Sequence, residues 1–205
     1  MGTFVDLTAA DGTVFPAYVA EPAGKPKAAV VVLQEIFGVN SHIQQVTDRF
    51  AAQGYLAIAP AIFERVEKGV DTGYNEATMK AGIALKAAVM ALPGAGIMQD
   101  VQASIDHVAK ASGGKVGIIG FCFGGLLAWQ AAEKLSGLSA SVPYYGGGMV
   151  VPEEIARKPK VPVMAHLSDH DHSAPMEGVN ALIKAHPEVE VHIYNADHGF
   201  NCDQR

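Results

Sequence analysis

Gly120-Phe121-Cys122-Phe123-Gly124 sets a thiol between two glycines in a G-x-C-x-G run. A nucleophile at a sharp strand-to-helix turn suits acyl transfer. Such a turn strains the backbone of its central residue and brings positions two either side into collision, which Gly120 and Gly124 avoid. The helix that follows directs free N–H groups and partial positive charge at the sulfur, which helps form a thiolate and bind an oxyanion. A buried structural cysteine is the plain alternative. A dinucleotide turn would place glycine at position 122, and a phosphate loop would continue into Gly-Lys-Ser/Thr; the sequence does neither.

Asp171 and His198 follow Cys122 in the chain order nucleophile, acid, base. The imidazole would take the thiol proton and return it to the leaving group, while the carboxylate fixes the tautomer. Asp169 competes for the acid role, but Asp171 lies deeper in the turn before the helix expected from Pro175, and is preferred. Glu35 ends a buried apolar run, where a carboxylate is costly without a partner. It is either a solvated loop acid or a neighbour of Cys122 that keeps the resting thiol protonated.

The elements that must position these groups alternate. Strands are expected at 14–22, 27–35, 55–60, 115–120, 139–146, 160–168 and 189–195. Helices are expected at 41–54, 76–92, 97–111, 126–135 and 175–186. Strands alternating with helices imply an α/β fold with a mostly parallel central sheet covered on both faces by right-handed crossovers. Ligands then sit at the carboxyl ends of the strands. There the sequence delivers Glu35, Cys122, Asp171 and His198. No composition shift divides residues 1–205, so one domain is expected.

Composition sets the remaining bounds. Of 205 residues, 49% are hydrophobic and 18% charged, which excludes intrinsic disorder. A net charge of −6 argues against nucleic acid. No apolar run approaches the roughly 18 residues of a membrane span, and the first residues lack a signal-peptide pattern, so a cytoplasmic protein is expected. Two cysteines, Cys122 and Cys202, cannot build a disulfide framework, and without a C-x-x-C a redox role is the weakest reading. His166, His170 and His172 lie near Asp169 and Asp171, but Asp171 has other work and no pair of cysteine ligands stands by, so no metal and no cofactor are expected. Trp129 reads as core. Phe37 and Tyr145 stand near strand ends and are expected to line an acyl pocket.

Together these segments resemble the dienelactone hydrolases (carboxymethylenebutenolidase-like proteins) of the α/β-hydrolase superfamily. The resemblance rests on Gln34-Glu35-Ile36-Phe37-Gly38, Gly120-Phe121-Cys122-Phe123-Gly124-Gly125, Tyr144-Tyr145-Gly146, Asp171-His172-Ser173-Ala174-Pro175 and Ala196-Asp197-His198-Gly199-Phe200. It implies a Cys122–His198–Asp171 triad, with Glu35 contacting the resting thiol and moving when substrate binds. It also implies an oxyanion hole from the backbone N–H groups of Ile36 and Phe123. The family clamps a substrate carboxylate with two arginines. The first falls near Lys80, which keeps the charge without the bidentate fork, and the second falls on neutral Cys202. Arg205 is close but not aligned. The substrate is therefore expected to be a small ester or lactone, with its carboxylate unspecified. The resemblance further implies a last helix that is absent from this sequence. The protein is expected to be a monomer or homodimer. A non-catalytic binding or interaction protein on the same fold is the alternative.

Overall fold

The computed structural model describes residues 1–204. The strands are β1 (Thr3–Thr8), β2 (Val14–Ala20), β3 (Ala29–Leu33), β4 (Leu56–Pro60), β5 (Val116–Phe121), β6 (Leu138–Tyr144), β7 (Met164–Ser168) and β8 (Glu190–Tyr194). The helices are α1 (Ser41–Ala52), α2 (Glu76–Met90), α3 (Met98–Ala109), α4 (Phe123–Lys134), α5 (Pro152–Ile155) and α6 (Met176–Ala185). All eight strands form one sheet in the order β1-β2-β4-β3-β5-β6-β7-β8. β2 pairs antiparallel with β1 and β4, and every pairing from β4 to β8 is parallel.

β3 shows why the middle of the sheet lacks polar alternation. Ala29, Val31 and Leu33 pack on one face against Val101, Ile105 and Val108 of α3, while Val32 packs on the other against Ile43 and Val46 of α1. A strand covered on both faces needs apolar residues at every position. Beyond β6 a separate layer forms. Trp129 of α4 meets Ala165 and Leu167 of β7 and Val179 and Leu182 of α6, and its indole N–H donates to the Glu154 carbonyl at 2.9 Å. Truncating a buried residue such as Ile105 in these layers costs about 2–5 kcal/mol.

The structure extends the expected elements in three places. β1 was not anticipated: it is an edge strand with only Leu7 buried, so its apolar pattern is faint. The short α5 was also not anticipated. α4 starts at Phe123 rather than 126, because the turn after β5 consumes Cys122 alone. The N-cap of α1 is Asn40, its side-chain oxygen accepting from Ile43 N at 3.2 Å. Among the described residues no helix follows β8.

Candidate active site

Cys122 lies between the last residue of β5 and the first of α4, with φ 54° and ψ −113°. Holding a non-glycine residue there costs of order 1–3 kcal/mol, and surrounding contacts must enforce it. Cys122 N donates to Tyr144 O at 3.1 Å, and Cys122 O accepts from Gly125 N at 3.0 Å and Leu126 N at 3.2 Å. A Cβ at Gly120 would lie 1.9 Å from Gly124 O, and one at Gly124 would lie 2.3 Å from Leu33 O. The two glycines thus let α4 leave the sheet at once while pressed against β3. The sulfur, half-buried, lines a cleft.

Asp171 follows β7 and His198 follows β8, and the parallel pairing of those strands brings the two loops together. His198 Nδ1 is 2.7 Å from Asp171 Oδ2. The other oxygen of Asp171 accepts from Ser173 N at 2.8 Å and from Ser173 Oγ at 2.6 Å. Ser173 Oγ is also 3.1 Å from His198 Nδ1. Burial pushes the Asp171 carboxyl up, but hydrogen bonds from His198 and Ser173 outweigh it and hold the group below its usual range. Burial likewise opposes the charged form of His198. Hydrogen bonds to Asp171 and to the Cys122 sulfur win, and the imidazole is pushed up to about 9. Asp169 stays outside this chain of contacts; its Oδ1 accepts from Ala196 N at 3.3 Å and ties the two loops together.

The cleft holds about 350 Å³ and is mostly apolar. Ile36 and Phe37 line it from the loop after β3, with Phe37 packed on Tyr74 at 4.5 Å between ring centroids. Met79, Ile83 and Lys86 line it from α2, at spacings that share one helix face. α2 reaches the cleft because Gly82 lacks a side chain: a Cβ there would stand 2.2 Å from Ile36 O. Phe123 is the first residue of α4, so its N–H has no acceptor within the helix. A larger groove of about 630 Å³ runs between β1 and α3, far in the sheet order from the strand ends that carry Cys122, Asp171 and His198.

Several expected site residues lie elsewhere. Lys80 is turned off the lining face of α2; its Nζ pairs with Glu76 at 2.7 Å, and both side chains are about three-quarters exposed. The cation in the cleft is Lys86, whose Nζ donates to Gly147 O at 3.2 Å and stands 5.6 Å from the centre of the Phe123 ring. Tyr145 is fully buried and does not line the cleft. It has φ 35° and meets the His198 ring edge-on at 5.2 Å. Glu35 is fully buried, with a carboxylate oxygen within 4.8 Å of a His42 ring nitrogen and the Cys202 sulfur. Burial of the Tyr74 hydroxyl, and after it the charge of Glu35, push that group strongly upward. Arg205 lies outside the described residues. Sequence reasoning passed over Lys86, Met79 and Ile83, whose shared helix face was a usable signal, and gave Ser173 no role although it stands two residues from Asp171.

Known proteins agree with this architecture. A sequence model of the dienelactone hydrolase family matches residues 15–205. A carboxymethylenebutenolidase of Pseudomonas putida is 31% identical over 96% of this chain and 84% of its own length. A Synechocystis sp. protein with a provisional carboxymethylenebutenolidase assignment is 37% identical over 92% of this chain and 82% of its own. A crystal structure of a provisionally assigned dienelactone hydrolase from Klebsiella pneumoniae superposes with a TM-score of 0.82 at 29% identity, covering all of this chain and 90% of that one. With its mostly parallel sheet, strained Cys122 elbow and loops after β7 and β8, the chain has the α/β-hydrolase fold and belongs to the dienelactone hydrolase family.

Proposed function

We propose that this hydrolase cleaves a small carboxylic ester or lactone with Cys122 as nucleophile. The observation that carries the reading is that His198, held on Asp171 at 2.7 Å, lines one apolar cleft together with a Cys122 sulfur held at a strained turn. His198, pushed up to about 9, holds the proton as imidazolium beside a Cys122 thiolate, and the sulfur attacks the carbonyl carbon. The oxyanion forms against the N–H groups of Ile36 and Phe123, where one donor is worth about a hundred- to a thousand-fold in turnover. The C–O bond then breaks, and the alcohol oxygen leaves with the proton from His198. In a lactone that alcohol stays attached to the acyl group. Water, deprotonated by His198, attacks the thioester and releases the acid and the thiol. Asp171 keeps the imidazole in the tautomer this exchange needs.

Glu35 has a supporting part in this reading: its carboxylate disfavours a second negative charge on the sulfur, and the His198 imidazolium offsets that effect. Phe37, Ile36, Met79 and Ile83 shape an acyl site for a compact apolar group, and Lys86 offers one positive charge at its wall. The Pseudomonas putida relative is named for a butenolide, which is a lactone, and that likeness favours a small lactone.

The test is to trap the intermediate. Protein quenched during turnover of a p-nitrophenyl ester should carry one acyl group on the peptide containing Cys122, by mass spectrometry. An acyl group on another residue, or no turnover across a panel of small esters and lactones, would overturn the reading.

A further inference from the structure

Beneath the loop after β3, a second thiol, imidazole and carboxylate are sealed inside the protein. Glu35 comes from the loop after β3, His42 from α1 and Cys202 from the segment after His198. Their ligating atoms all lie within 4.8 Å of one another. Glu35 and His42 are 0% exposed and Cys202 is 7% exposed. Neither ring nitrogen of His42 has a hydrogen-bond partner among the described residues. A buried polar atom left in that state costs about 1–3 kcal/mol. Burial also favours the neutral ring, the form that binds metal.

We propose that Glu35, His42 and Cys202 form a binding site for a borderline-soft divalent cation, zinc fitting best. The donors are one oxygen, one nitrogen and one sulfur, a mixture that hard cations such as magnesium and calcium do not select. Metal–ligand bonds of about 2.1–2.3 Å place tetrahedral ligands about 3.4–3.8 Å apart. The three atoms need to close by about 1 Å to reach that spacing, within the range of side-chain rotation. Binding replaces the Cys202 S–H bond with a sulfur–metal bond and releases the proton to solvent. One carboxylate and one thiolate then balance a dication. Beyond the three ligands, the charges that act on His42 are Asp203 and Arg49, which pair with each other. The fourth position falls to water or to the Tyr74 hydroxyl, which hydrogen-bonds Cys202 and accepts from Asn40 Nδ2 at 3.2 Å. The three ligands come from separate parts of the chain, so the metal would pin the segment carrying Cys202 to the loop after β3 and to α1. This site departs from the expectation of no metal; it shares Glu35 with the proposed hydrolysis, and its test reads metal binding alone.

Cobalt reports the site directly, because a thiolate–cobalt bond gives an intense near-ultraviolet band. The Cys122→Ser variant leaves Cys202 as the one thiol in the sequence. After dialysis against a chelator, this variant should bind one equivalent of Co²⁺ with that band, and Zn²⁺ should displace it. Its thermal midpoint should rise with added Zn²⁺ until one equivalent is bound. His42→Ala, made in the same background, should weaken binding at least ~10-fold. No band and no change in melting in Cys122→Ser would overturn the proposal. So would binding of unchanged strength in His42→Ala. Loss of ester turnover bears on neither result, because both readouts are metal binding.

Discussion

Two groups each bring together a thiol, an imidazole and a carboxylate, and their surroundings give them opposite properties. Cys122, His198 and Asp171 meet at a cleft; Glu35, His42 and Cys202 are enclosed. Burial acts on both imidazoles in the same direction. At His198, a carboxylate at 2.7 Å and the thiol overcome it and push the ring up to about 9. At His42, no described residue hydrogen-bonds the ring and burial wins, so the ring is held below its usual value. Backbone differs too. Cys122 is held at φ 54°, which presents its sulfur outward, whereas Cys202 sits in a turn closed by its own N–H to Gly199 O at 3.0 Å. Residue type alone therefore decides neither nucleophile nor ligand; access, hydrogen-bond partner and backbone strain decide it.

The sharpest way to break this contrast is to remove each thiol in turn. Cys122→Ala should lower ester or lactone turnover by ~10⁴-fold or more, as loss of a nucleophile does elsewhere. Cys202→Ala in chelator-treated protein should keep kcat within about threefold, since lost packing is its main effect. Comparable losses from both, measured on one p-nitrophenyl ester, would mean that the two groups act together.

Next in size is the pH response of His198. Its folded pKa lies above the ordinary value of 6.5 at about 9. The stability from its protonated form is therefore complete below pH 6.5 and lost as pH rises through about 9, worth at most about 3 kcal/mol. The alkaline limb of kcat/KM should fall in the same region, because the imidazolium is the acid for the leaving group. Asp171→Asn should lower kcat by about 10³–10⁴-fold and move that limb to lower pH. Melting and rate profiles from pH 6 to 10 test both. A limb that stays in place in Asp171→Asn would show that Asp171 does not hold the ring charged.

The strained turn makes a third, smaller prediction. A Cβ at Gly124 would lie 2.3 Å from Leu33 O and 2.6 Å from Gln34 O, all backbone that cannot rotate away. Gly124→Ala should cost about 3 kcal/mol or more, read by urea unfolding. Gly24, with nothing within 4 Å of its absent Cβ, is the control, and its alanine variant should stay within about 0.5 kcal/mol of the parent.

The sequence spoke most clearly where a residue type answers a backbone demand. Gly120 and Gly124 flank Cys122 because nothing larger fits, and the buried runs of β3 and β5 carry no polar alternation because both faces are covered. It was silent where the determinant is how elements sit together. Lys80 and Lys86 are the same residue type on one helix, and only the seating of α2, through Gly82 on Ile36, selects Lys86. α2 is rich in alanine and other apolar residues, yet only Gly82 and Val89 are buried; Ile83 is 56% exposed, toward the cleft. Tyr145 was placed by its nearness to a strand end, and Cys202 by the position of the family's second arginine. Which neighbour each would meet depended on loop paths that no local pattern encodes.

The smallest effect sharpens the contrast most finely. Ser173 serves Asp171 twice, through its amide at 2.8 Å and its hydroxyl at 2.6 Å, both on Oδ1. That leaves Oδ2 for His198. The enclosed group has no such donor described at His42. Ser173→Ala removes one of the two donors and keeps the other, so Asp171 stays charged but is less firmly oriented. The expected loss is about tenfold in kcat with KM little changed, and about 1 kcal/mol or less of stability. Ser173→Thr, which restores the hydroxyl, should recover most of the rate. An alanine variant that melts several degrees lower at unchanged kcat would assign Ser173 to loop stability instead. The amide alone would then be enough to aim the carboxylate at His198.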